Sequence, residues 1–193
     1  MRQKFRIYGH RIARPPASAT VPDPATTHPP RAAREAVAPR RIRIALASDH
    51  AGYPLKEEIK AVLTSHELID FGTHSTDAAD LPDFAHPAAR AVSDGDVDRA
   101  ILVDGVGYGS AMIANKLPGV FAAVCQDPFC AGLARSHSDT NVLCLGGKII
   151  GSALALEIVR VWMTTDFLAD EPKYKTRVDK VVEIDETYVH RVT

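Results

Sequence analysis

Cysteine, net charge and long apolar runs are all scarce in this chain, and each scarcity removes a class of protein. Its three cysteines, Cys125, Cys130 and Cys144, are odd in number and lack the paired spacing of a metal site. Cys125 and Cys144 fall inside apolar, strand-like runs, so buried reduced thiols and a cytoplasmic compartment are expected. No apolar stretch approaches the ~20 residues of a membrane-spanning helix. Lys and Arg number 23 against 24 Asp and Glu, a formal net charge of −1, which gives no sign of a nucleic-acid partner. A G-x-G-x-x-G loop after the first strand is also missing, with no acid at ribose-binding distance beyond it. That argues against a dinucleotide site.

What is present divides near residue 40. Residues 1–40 hold seven of the thirteen prolines and eight Lys or Arg, but only two acids, Asp23 and Glu35. With no sustained period of 2.0 or 3.6, this segment is expected to be a disordered or loosely attached arm. It is basic and acid-poor like a transit peptide, yet its prolines interrupt any long amphipathic helix.

Residues 41–193 are expected to form one domain. Strand-like runs at 41–48, 67–72, 99–104, 119–125 and 141–147 alternate with helical ones at 53–66, 82–95, to about 116, 128–138 and 152–165. Pro87 is tolerable in the second helix only near its first turn. This alternation predicts a Rossmann-like α/β fold in three layers, α/β/α, around a five-stranded parallel sheet. A last helix from about Lys173 to His190 has no sheet partner left, and a neighbouring subunit is one candidate surface for it.

Ligands of such sheets bind beyond the carboxyl ends of the strands. Four polar clusters are expected there: Asp49 and His50 in "SDHAG", Asp104 in "LVDGVGYGSAM", His137 in "RSHSDTN", and Lys148 in "GGK". The loop Gly105, Val106, Gly107, Tyr108, Gly109, Ser110 is either a tight strand–helix turn or a cradle whose N–H groups hold a small oxyanion. Asp104 is either a helix-capping or ion-paired carboxylate or a general base. His50 and His137 fit surface or capping roles as well as catalysis. Lys173, Lys175 and Arg177 fit a solvated helix face as well as a phosphate site.

Three blocks, "ALASDHAGYPLKEEI", "GVGYGSAMIANKLPGV" and "ARSHSDTNVLCLGGKIIG", resemble the family of ribose-5-phosphate isomerase B and galactose-6-phosphate isomerase, over about residues 42–186. The resemblance implies a metal-free aldose–ketose sugar-phosphate isomerase, with no cofactor, working as a dimer or tetramer with shared sites. It implies that Asp49 and His50 contact the sugar and that His137 opens its ring. Gly105 to Ser110 would hold the enediolate oxygens, with Ser138 also lining the site. Lys148, Lys173 and Arg177 would take the phosphate, and Asp104 would move the proton.

Several positions depart from that family. Asp104 stands where many ribose-phosphate members have cysteine, and Ser110 where another branch has glutamate. Val106 replaces a threonine, Ser138 an asparagine, Lys148 and Lys173 arginines, and Leu81 a tyrosine. Lysine keeps the charge but loses the bidentate fork. A substrate of four to six carbons, other than or including ribose 5-phosphate, is therefore expected. The alternative is a non-catalytic sugar-phosphate-binding homologue, or one subunit of a hetero-oligomeric isomerase.

Overall fold

The computed structural model describes residues 41–189. The expected arm, 1–40, and the expected end of the last helix at His190 lie outside them. Five strands form one all-parallel sheet: β1 (Arg43–Ser48), β2 (Glu67–Asp70), β3 (Arg99–Asp104), β4 (Ala122–Val124) and β5 (Val142–Gly146), in the order β2-β1-β3-β5-β4. The helices are α1 (Tyr53–Val62), α2 (Leu81–Ser93), α3 (Tyr108–Ala114), α4 (Pro128–Ser138), α5 (Ser152–Thr164) and α6 (Pro172–Val189). The expected α/β/α architecture is present. Among the described residues no helix is long and apolar enough to cross a membrane.

Alternation along the strands builds two unlike cores. One face carries Ile44, Leu46, Ile101, Val103, Leu143 and Leu145, packed on Leu55 and Ile59 of α1 and Ile158 and Trp162 of α5. The other carries Ala45, Ala47, Leu102 and Cys144 under Ala85, Ala88 and Ala89 of α2 and Ala114 of α3. Small residues on both sides of this second interface let α2 lie close to the sheet. That packing also accounts for one departure from expectation. Pro87 sits inside α2, not in its first turn, and burial of the alanine face outweighs the hydrogen bond that proline cannot make.

The edge strands are shorter than expected. β2 stops at Asp70, although Phe71 and Thr73 still donate to Leu46 and Ser48 of β1, because Gly72 turns the chain at φ +100°; the Asp70 side chain holds Lys56, Lys60 and the Gly72 N–H. β4 has three residues, since Asn115 and Asn141 side chains bond the backbone of Ala122 and Phe121 at its start. Helix α6 meets α4 through a ring stack of Tyr174 on His137 and meets the turn before β4 through Asp185, which accepts from the Gly119 N–H at 2.6 Å. Its Val181, Val182 and Ile184 remain exposed.

Candidate active site

The order of the strands reverses between β1 and β3, the switch point beside whose carboxyl ends the ligands of such sheets bind. Ser48 pairs beside Val103, so Asp49 and Asp104 leave the sheet side by side. The Asp49 N–H donates to the Val103 carbonyl at 3.3 Å. Asp49 Oδ1 accepts from the Ala51 and Gly52 N–H groups, both at 2.9 Å, which folds the turn into α1. Gly52 is required there, because a Cβ would stand 2.1 Å from the Val103 carbonyl oxygen. His50 is tethered at Nδ1, 3.3 Å from both the amide nitrogen and the carbonyl oxygen of Ala79.

Asp104 faces inward, with 3% of its surface exposed. Oδ1 accepts from the Val106 N–H at 2.7 Å and also from the Gly107 N–H. Oδ2 accepts from the Ser110 N–H at 2.7 Å and the Ser110 hydroxyl at 2.8 Å. Gly107 turns at φ +85°, in the left-handed region, to bring these donors round. Of the two readings left open for Asp104, cap or base, these four hydrogen bonds are those of the cap: as placed, Asp104 anchors the glycine loop. Withdrawing it would leave the buried Ser110 N–H and hydroxyl without an acceptor, at about 1–3 kcal/mol per group. The loop's outer side carries Val106 and Tyr108, 41% and 56% exposed. Leu81 lies against Gly109, where a Cβ would meet its Cδ2 at 2.8 Å. Lys148 closes this edge: its N–H donates to the Gly105 carbonyl at 3.0 Å, and its side chain passes over Gly105.

The cysteines offer no substitute for the missing family thiol. Burial first, and then the negative charge of Asp104, hold the Cys144 thiol well above its usual range. Burial likewise pushes Cys125 up to about 12. The exposed Cys130 thiol is raised by its hydrogen bond to Asp127.

The second group of expected residues lies elsewhere. His137 ends α4, which returns the chain to the start of β5, so it sits at the amino edge of the sheet. The four steps from Val142 to Gly146 along β5 alone separate the two edges by about 13 Å. The expectation that all four polar clusters share the carboxyl edge thus holds for Asp49 and His50, for Asp104 and its loop, and for Lys148. It fails for His137, because the carboxyl end of a crossover helix always precedes the next strand's amino end. Here Asp139, at φ +48°, turns the chain, and the buried Arg135 fixes that turn through Asp139 Oδ1 at 2.8 Å and the Thr140 carbonyl at 2.6 Å. The His137 ring stacks on Tyr174 with centroids 3.9 Å apart and planes 14° from parallel. Lys173 Nζ and Arg177 Cζ lie 4.7 and 5.7 Å from the same Tyr174 ring. A cavity of about 520 Å³ opens here, lined among others by Phe121, Ala122, His137, Ser138, Arg177 and Val181. Tyr174 was missed in the sequence, although its spacing to Arg177 on a helix put the two on one face.

Residues 44–181, the whole sheet with its first five helices and the start of α6, match the Ribose/Galactose Isomerase family. The chain belongs to that family. It is 40% identical over 146 residues to ribose-5-phosphate isomerase B of Escherichia coli K12, covering 75% of this chain and 97% of the relative. It is 38% identical over 129 residues to 4-deoxy-4-sulfo-D-erythrose isomerase of Clostridium sp. MSTE9, covering 65% and 81%. Among solved structures, ribose-5-phosphate isomerase B of Mycoplasma genitalium with bound ribulose 5-phosphate superposes with a TM-score of 0.70 at 35% identity, covering 75% and 96%. The family is one of aldose–ketose sugar-phosphate isomerases. Its members named here act on sugars of different length and different anionic group, so membership alone leaves the substrate open.

Proposed function

We propose that the protein converts a phosphorylated aldose of four to six carbons into the corresponding ketose through an enediolate. The site would be shared by two copies of the chain, in a cytoplasmic homodimer or homotetramer. The observation that carries this reading is the division of the chemistry between the two sheet edges. Asp49, His50, the loop 105–110 and Lys148 stand at one edge, and His137, Ser138, Lys173 and Arg177 at the other. Neither set alone supplies ring opening, proton transfer and phosphate binding together. A second copy presenting its amino edge to the first copy's carboxyl edge would unite them.

In the joined site His137 protonates the ring oxygen and opens the sugar. Its stack on Tyr174 fixes the imidazole plane. Lys148, Lys173 and Arg177 receive the phosphate dianion. The amides of Tyr108 and Gly109, which donate to no protein group among the described residues, face the developing enediolate oxygens. A carboxylate of the β1/β3 crevice moves the proton between the two carbons. Leu81 and Val106 give the crevice apolar walls where hydroxyl-bearing residues are familiar in the family. They favour a shorter sugar chain over a fully hydroxylated hexose.

The test is a panel of four-, five- and six-carbon aldose phosphates, assayed for ketose formation by the purified protein alone. Turnover of at least one is expected, with a four- or five-carbon member fastest. No turnover of any member would favour the non-catalytic or partner-requiring alternative.

A further inference from the structure

We infer that the proton-moving base is Asp49, and that Asp104 is a positioning residue for the glycine loop. This rests on the isomerase reading above. A carboxylate has about four lone-pair directions, and four donors from the loop already meet the two oxygens of Asp104. No lone pair is left to approach a carbon-bound hydrogen, which needs an open oxygen about 3–3.5 Å from the carbon.

Asp49 is arranged differently. Both of its hydrogen bonds, from Ala51 and Gly52, fall on Oδ1. Among the described residues Oδ2 accepts from nothing, and the side chain is half-buried at the crevice. Register puts it one strand from Asp104, about 4.8 Å across the ladder. The base therefore moves by one strand without leaving the site. The neighbouring His50, held at Nδ1 by Ala79, keeps Nε2 for a substrate hydroxyl.

In the step, the bond from hydrogen to the carbon beside the carbonyl breaks, and the proton passes to Asp49 Oδ2. Its electron pair forms the carbon–carbon double bond of the enediolate, and the carbonyl oxygen takes the negative charge. Asp49 then returns the proton to the former carbonyl carbon. The adjacent hydroxyl loses its proton, through water, to the first oxygen and becomes the new carbonyl. The reaction is an isomerisation, and no electrons enter or leave.

The experiment compares Asp49→Asn, Asp104→Asn and Ser110→Ala with wild type. It uses the aldose phosphate turned over fastest and records kcat, KM and exchange of the carbon-bound hydrogen with solvent deuterium. Asparagine keeps an Oδ1 for the Ala51 and Gly52 amides, so Asp49→Asn should unfold at the wild-type temperature. It should lose kcat and exchange by about 1,000-fold, the scale of a general base. Asp104→Asn cannot accept both Ser110 donors. It should unfold at lower temperature and raise KM, with kcat falling less than about 30-fold and the kcat–pH profile unmoved. Ser110→Ala should shift KM in the same direction. A larger kcat loss in Asp104→Asn than in Asp49→Asn overturns the inference, as does exchange surviving in Asp49→Asn within about tenfold of wild type. Wild-type protein showing neither turnover nor exchange would instead fail the isomerase reading, and the inference with it.

Discussion

Lys56 is fully buried, and Asp70 gives its ammonium group a partner there. Its Nζ lies 2.6 Å from Asp70 Oδ1, while Lys60 Nζ lies 2.6 Å from Oδ2. Burial alone would raise the Asp70 carboxyl, but hydrogen bonds from Lys56, Lys60 and the Gly72 N–H prevail and hold it at about 2. A carboxylate lowered on folding stabilises the protein above its unfolded value, 3.8, and that stability is lost as the pH falls toward 2. Asp70→Asn should therefore cost about 2–4 kcal/mol in urea unfolding at pH 7. The gap to wild type should shrink as the pH drops from about 4 toward 2. A gap independent of pH would mean that packing, not charge, is what Asp70 supplies. At this scale the sequence was only half legible. Asp104 as cap and Asp104 as base share one string of letters, and the difference is whether two oxygens face the loop or the crevice. Ser110 carried a usable signal, a hydroxyl closing the glycine loop six residues after Asp104, but nothing local said which acid it would serve.

Among the elements, α6 acts chiefly as a platform. Tyr174 in its first turn sets the plane of the His137 ring and gathers Lys173 and Arg177. Ring stacking of this kind contributes about 0.5–1.5 kcal/mol. Tyr174→Ala should lower kcat on cyclic substrate by about tenfold with the fold intact. Tyr174→Phe, which keeps the ring, should stay near wild type. Equal losses in both variants would assign the effect to the Tyr174 hydroxyl. The central strands were readable because β1, β3 and β5 are buried on both faces and therefore continuously apolar. The edge strands were overextended, since Gly72 turns the chain out of β2 and the Asn115 and Asn141 side chains take the backbone N–H groups at the start of β4 while the apolar runs continue. The placement of His137 was legible in principle. A helix between two parallel strands ends at the amino edge, whatever its sequence.

For the whole molecule, that same topology bears most directly on function. Crossover helices carry the chain back across the sheet, so residues 50 apart in sequence can stand a full strand length apart in space. The carboxyl-edge set and the amino-edge set are each preorganised by their own backbone: the first by the Asp49 and Asp104 turns, the second by Arg135 and Tyr174. The exposed Val181, Val182 and Ile184 of α6, beside the amino-edge cavity, form an apolar surface that the proposed second copy would cover. The proposed sharing of the site makes one measurement decisive. Asp49→Asn and His137→Ala, each inactive alone, are unfolded together, refolded as a mixture and assayed on the best aldose phosphate. In a two-fold dimer with shared sites, half the dimers are mixed and each regains one intact site, so roughly a quarter of wild-type activity should return. If the mixture stays as inactive as its components, Asp49 and His137 do not meet across a subunit boundary, and the shared-site isomerase is contradicted.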